Sequence, residues 1–238
     1  MPPTSISHAM GDPSAPAVVV MAKPAVPGAV KSRLIGPLSA EQAAEVHAAM
    51  LSCVLERAGA HLPGEHYLAL AQPAADASPL TDAAAEARGL GWQVIDQGTG
   101  DLGQRLDHVW RRIGRGAVVF LGIDSPDVPA ASLEQIAPAL TAAEAAFGPV
   151  PDGGYWTLAA RAYHPELLQG IDWGTERVQA QTRTAAAQSG LTLTPLPEWY
   201  DVDDARGLRA LIDRLATTSE PALTRLSRRL ETLRGALR

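Results

Sequence analysis

Three cations, Lys23, Lys31 and Arg33, gather around a Pro/Gly turn in the stretch AKPAVPGAVKSRL, residues 22–34, directly after the apolar run Ala17–Met21. Pro24 and Pro27 stiffen such a loop, and Gly28 lets the backbone turn closely past a ligand. Cations held this way at the end of a buried strand can neutralise a diphosphate, helped by backbone N–H groups at the start of a short helix. A solvated basic loop is the competing reading. The spacing is not that of a Walker A loop, which needs G-x-x-x-x-G-K-[ST].

Three further polar clusters each follow a run with strand character. QGTGDLGQRL, residues 97–106, has three glycines, Gly98, Gly100 and Gly103, where a helix cap would need none. They allow the backbone to approach a flat base or ribose, while Asp101 with Gln104 has the spacing of a capping box. In LGIDSP, residues 121–126, Asp124 ends a run too apolar to bury a lone carboxylate. Such an aspartate suits Mg²⁺ or Mn²⁺, which take few protein carboxylates alongside ligand phosphates; the alternative is a turn with Asp127 as a cap. Asp152, before Gly153 and Gly154, and the group Asp201, Asp203 and Asp204 complete the set. Each reads singly as a turn or a helix-start acid cluster, and together they offer carboxylates for a metal or a general base.

The chain that must position these groups has 238 residues, 46% hydrophobic and 19% charged. That is enough for a sizeable core in one α/β domain. A formal net charge of −6 argues against a nucleic acid polymer and for a small anionic ligand in a local basic pocket. The single cysteine, Cys53, lies in a helical apolar stripe and reads as a small buried hydrophobe. No run is long enough to span a bilayer and no secretory signal is evident, so a cytoplasmic protein without membrane insertion is expected.

Residues 1–16 hold four prolines and read as a flexible lead-in to a domain over 17–216. Beyond it, 217–238 reads as a helical extension carrying Arg225, Arg228, Arg229, Arg234 and Arg238. Within the domain, strands are expected at 17–21, 67–70, 92–95, 117–123, 146–150, 155–159 and 191–196. Helices are expected at 39–59, opened by a Ser39/Gln42 capping box, and at 81–88, 102–114, 132–145, 176–188 and 205–215. Alternation of this kind implies a mostly parallel sheet with helices on both faces and a ligand site at the strands' carboxyl ends.

Taken in order, AKPAVPGAVKSRL, QGTGDLGQRL, GIDSP, GPVPDGGYW, IDWGTERV and DVDDARGL, spread over about residues 17–216, resemble the DUF2064 family. That family is also called selenodomain-associated transferase 1 or arsenosugar-biosynthesis-type glycosyltransferase. The resemblance implies a single GT-A-like, Rossmann-like domain of the nucleotide-diphospho-sugar transferase kind. It assigns phosphates to Lys23, Pro27, Gly28, Lys31 and Arg33, and the nucleoside to Gln97, Gly100, Asp101, Gly103 and Arg105. Asp124 becomes the metal-binding aspartate, with Asp203 a second ligand for Mg²⁺ or Mn²⁺. Gly153, Gly154, Tyr155, Trp173, Gly174 and Thr175 face the acceptor; a core role is the other reading of Trp173. Three of the motifs depart from the family pattern: Ile123 replaces a small residue, Trp156-Thr-Leu-Ala159 follows the glycines, and Asp204 and Gly207 alter the last motif.

The reaction expected is transfer from a nucleotide-diphospho-sugar to a small-molecule acceptor, with Lys31 stabilising the departing diphosphate and Asp152 as the base. Joining a nucleoside triphosphate to a phosphorylated small molecule uses the same groups. A non-catalytic nucleotide-binding module acting through the arginine-rich tail is a third reading.

Overall fold

The computed structural model describes residues 15–237. Seven strands form one sheet: β1 (Ala17–Ala22), β2 (His66–Leu70), β3 (Gln93–Asp96), β4 (Val118–Leu121), β5 (Ala145–Pro149), β6 (Tyr155–Ala160) and β7 (Leu193–Pro195). The helices are α1 (Ala40–His61), α2 (Ala83–Gly89), α3 (Leu102–Ile113), α4 (Ala130–Glu134), α5 (Ile136–Ala142), α6 (Val178–Gln188), α7 (Ala205–Leu215) and α8 (Pro221–Glu231). The expected lead-in falls almost wholly outside the described residues.

The strand order is β3-β2-β1-β4-β6-β5-β7. β1 pairs in parallel with β2 and β4, β2 with β3, and β5 with β7, while β6 runs antiparallel between β4 and β5. Alternating side chains send the two faces of each strand into different cores. Val18, Val20, Leu68, Val119 and Leu121 pack with residues of α1, α2, α4 and α5. Ala17, Val19, Ala69, Val118 and Phe120 pack on the other face with Leu106, Val109 and Trp110 of α3 and Ala186 of α6. Helices therefore cover both faces, as expected of a buried parallel sheet.

α1 begins at Ser39, whose side chain accepts from the Gln42 backbone while the Gln42 side chain accepts from the Ser39 backbone. Its far side meets a third core formed with α7 and α8, where Leu208, Leu211, Leu223, Leu226 and Leu230 are buried. The stripe Leu223, Leu226, Leu230, Leu233, Leu237 follows helical spacing and turns the arginines outward, where Arg225 pairs with Glu56 and Arg234 with Asp213. Cys53 is buried, and burial pushes its thiol up to about 12.

The helix expected over 132–145 is instead two short helices meeting at Gln135. Pro138 lacks an N–H and its ring opposes the carbonyl four residues back, which breaks the ladder at Glu134. Asp127 is not a helix cap: it is buried and takes Arg214 Nε at 2.6 Å and Trp199 Nε1 at 3.1 Å. Arg57, also buried, donates to Glu220 at 2.6 Å and to the Pro126 carbonyl at 2.8 Å. These two arginines tie the loop after β4 to the last helices.

Candidate active site

The chain leaves β1 toward β2 on one side and returns to β4 on the other, so the loops at the carboxyl ends of β1 and β4 diverge and leave a crevice. A cleft of about 500 Å³ opens there, lined by Lys23, Lys31, Arg33, Gln97, Arg105 and Asp124 among others. A second lobe of about 510 Å³ adjoins it, lined by Asp152, Gly154, Trp173, Thr175 and Asp201. Arg33, Asp124, Tyr155, Trp156 and Asp203 line both lobes.

Lys31 sits at the junction. Its backbone is left-handed, at φ 47° and ψ 41°, which sends its stem back into the wall of the cleft. The side chain is only 5% exposed. Its ammonium bonds the Asp124 carboxylate, the Val202 carbonyl at 2.5 Å and Asp203 Oδ1 at 3.5 Å. Arg33 reaches the other Asp203 oxygen at 3.3 Å from a largely solvent-exposed position. The expected short helix is a single 3₁₀ turn, Ser32–Leu34, so charge in this loop comes from side chains. Lys23 is exposed, and its carbonyl accepts from Nε2 of the buried His47 at 2.9 Å. Burial lowers the proton affinity of the His47 ring.

Beside Asp203 stand Asp152 and Asp201, and one oxygen from each of the three lies within 4.8 Å of the others. The Asp201 carboxyl is pushed up to about 6 by burial, then by the charges of Asp152, Asp203 and Asp124. Oxygen donors at this separation, carrying unbalanced negative charge, suit a hard divalent cation. Asp204 turns away to cap α7, accepting from the Gly207 backbone at 2.7 Å. The place between Asp124 and Asp203, which the resemblance gives to a metal, holds the Lys31 ammonium.

The glycine-rich loop serves mainly itself. Asp101 and Gln104 form the reciprocal cap of α3, and Arg105 Nε holds the Gly100 carbonyl at 2.9 Å. Gly103 is where Trp173 and the Leu168 carbonyl come so close that a Cβ would lie 2.3 Å from each. Buried Gln97 donates its amide to the Ala22 and Ala69 carbonyls, at 2.8 and 2.7 Å, clamping the ends of β1 and β2. Gln97 and Arg105 thus reach the cleft, whereas Pro27, Gly28, Gly100, Asp101 and Gly103 are not among the residues lining it.

In the second lobe, Tyr155 meets Trp173 edge to face at 5.9 Å, and Trp173 Nε1 donates to the Leu168 carbonyl at 3.3 Å. Gly153, at φ 92°, supports this lobe from behind: a Cβ there would stand 2.2 Å from the Glu176 carbonyl. Gln179 Nε2 holds the Val150 and Gly154 carbonyls and fixes the same turn. The sequence does not single out His47, a polar residue within the apolar stripe of α1, and it offers Asp201 only as one of a group of carboxylates, the metal being assigned to Asp124 and Asp203.

The profile of the family described as "Uncharacterized protein conserved in bacteria (DUF2064)" matches residues 54–175, just over half of the chain. The chain belongs to DUF2064. Comparison of this DUF2064 member with curated proteins finds no match. Among solved structures it is similar to a protein from Desulfovibrio desulfuricans G20, provisionally named a nucleotide-diphospho-sugar transferase, with 26% identity and a TM-score of 0.79 over 92% of this chain and 96% of that one. A cytidylyltransferase from Leptospira borgpetersenii shares the fold at 13% identity and TM-score 0.53, over 93% of this chain and 95% of that one. CMP:2-keto-3-deoxy-manno-octonic acid synthetase, solved with CTP, does so at 16% identity and TM-score 0.50, over 84% and 99%. The DUF2064 chain thus has the α/β fold of nucleotide-diphospho-sugar transferases, and among its described residues no helix is long and apolar enough to cross a membrane.

Proposed function

We propose that this chain is a metal-dependent glycosyltransferase that takes a nucleotide-diphospho-sugar donor and a small-molecule acceptor. One observation carries the reading: Asp203 joins a cation set, Lys31 and Arg33, to a carboxylate set, Asp152 and Asp201, where the two lobes meet. The lobe with Lys23, Arg33 and Arg105 suits an anionic nucleotide, and the lobe with Trp173 and Thr175 offers an aromatic face and a hydroxyl to a polyol.

Asp124, Asp201 and Asp203 are the residues to hold Mg²⁺ or Mn²⁺, which would supply positive charge for the departing diphosphate. Lys23 and Arg33, both exposed on the cleft wall, bind the same phosphates as they gain charge. Asp152, the exposed member of the acidic trio, faces the acceptor lobe and takes the proton of the attacking hydroxyl. Tyr155 and Trp173 pack the floor of that lobe and orient the acceptor.

The test is product analysis with Mn²⁺ or Mg²⁺. Nucleotide sugars should yield free nucleoside diphosphate only when an acceptor is present. Pyrophosphate release from a nucleoside triphosphate and a phosphorylated sugar would replace this reading with nucleotidyl transfer. Nucleotide binding without turnover of either substrate class would replace it with a binding module.

A further inference from the structure

Lys31 and Lys23 are the only lysines in the chain, and they behave differently. Lys23 is exposed. Lys31 is the one non-glycine residue with positive φ among the described residues, and its side chain is 5% exposed. An ammonium has three hydrogens, and those of Lys31 face three acceptors: Asp124, the Val202 carbonyl and Asp203. None is left for a phosphate. Two of its partners, Asp124 and Asp203, are side chains about half exposed, so they are open to the cleft on the side away from the lysine.

We infer that Lys31 is a built-in cation that holds Asp124 and Asp203 while no divalent ion is bound, and that Mg²⁺ or Mn²⁺ displaces it into the cleft, where its ammonium becomes a phosphate ligand. The inference rests on the metal-dependent reading above. A residue in this state cannot serve the phosphates as expected from the sequence unless something else takes over its carboxylates. A divalent ion can do so, because two or three aspartates bind a dication more strongly than a single ammonium. The extended lysine stem can swing by rotating its own bonds without moving the loop. The four acidic side chains Asp124, Asp152, Asp201 and Asp203, packed near one another, would otherwise repel in the metal-free protein. Lys31 offsets that repulsion at Asp124 and Asp203 but does not touch Asp152 or Asp201. The displaced ammonium gains its new partner only when the metal is present, so metal and phosphate binding are coupled.

Two readouts that need no turnover test this. The first is Mn²⁺ binding by calorimetry, without nucleotide, to the wild-type protein, Lys31→Met and Lys31→Arg. Lys31→Met should bind Mn²⁺ on the order of tenfold or more tightly than wild type, and Lys31→Arg within about threefold of wild type because a competing charge remains. The second is acylation of the wild-type chain by an amine-reactive ester, with Lys23 as the internal reference. The Lys31/Lys23 labelling ratio should be low without metal and rise several-fold with saturating Mg²⁺. Equal Mn²⁺ affinity of wild type and Lys31→Met, with a labelling ratio indifferent to bound Mg²⁺, overturns the exchange and leaves the metal site standing. Absence of Mn²⁺ binding in all three proteins removes the metal site itself, and the exchange with it. Circular dichroism of each variant shows whether it is folded before its affinity is read.

Discussion

Replacing Asp201 with Asn should make the metal-free protein more stable while weakening its hold on metal. The Asp201 carboxyl is displaced from 3.8 to about 6 by burial and by the charges of Asp152, Asp203 and Asp124. Between those two values the folded chain binds the proton more tightly than the unfolded chain. Stability therefore falls as pH rises through this window, and the penalty is fully present above about pH 6. Each factor of ten in proton affinity is about 1.4 kcal/mol, so the ceiling is roughly 3 kcal/mol, and solvent around a half-buried carboxylate cuts it to about 1–1.5 kcal/mol. For a chain of this size, 1 kcal/mol moves Tm by about 2–4 °C. Asp201→Asn should therefore raise Tm by about 2–6 °C at pH 7.5 and hardly at all at pH 4. Millimolar Mn²⁺ should raise the wild-type Tm more than the variant's and narrow or reverse the gap. Scanning calorimetry of both proteins at the two pH values, with and without Mn²⁺, is the assay. A variant less stable than wild type at pH 7.5, or a gain equal at both pH values, refutes the argument that burial and the neighbouring carboxylates penalise the Asp201 charge.

Neighbouring aspartates should separate cleanly. Asp204→Ala removes a helix cap and should cost about 1 kcal/mol in urea unfolding without touching Mn²⁺ affinity, whereas Asp203→Asn should weaken Mn²⁺ binding more than tenfold in calorimetry without lowering stability. Arg57→Met removes the buried guanidinium that donates to Glu220 and the Pro126 carbonyl, leaving them only the longer contacts to His61 Nε2 at 3.5 Å and Cys53 Sγ at 3.8 Å, and should cost about 3 kcal/mol by denaturant titration. Gly153→Ala forces a Cβ to 2.2 Å from the Glu176 carbonyl at a φ of 92°. It should lose about 2 kcal/mol or more in the same titration and weaken acceptor binding rather than nucleotide binding.

Much of the fold was legible because local rules and packing agree. The apolar runs at β1 and β4 are buried on both faces, and both capping boxes, at Ser39 and Asp101, form as their spacing suggests. The break at Gln135 was legible in principle from Pro138 but is easily lost inside an alanine-rich stretch. The site was half legible. Strand-end aspartates and the basic loop point to one and the same crevice, because topology places any residue after β1 or β4 there. Which partners those residues choose depends on loops far apart in sequence. Asp124 and Asp203 meet through Lys31 where the two loops are joined, the Val202 N–H donating to the Asp124 carbonyl at 2.8 Å. The glycines after β3 looked like ligand contacts, but Gly103 answers to Trp173, a side chain seventy positions away. No local pattern encodes such a pairing.

The most direct measurement is anomalous diffraction at the manganese edge from crystals grown with Mn²⁺ and a nucleoside diphosphate. A single peak coordinated by Asp203 together with Asp124 or Asp201, with diphosphate oxygens on the metal and on Lys31 or Arg33, is the expected result. Manganese bound elsewhere, or a diphosphate that ignores both the carboxylates and the cations of the opening loop, would contradict the account.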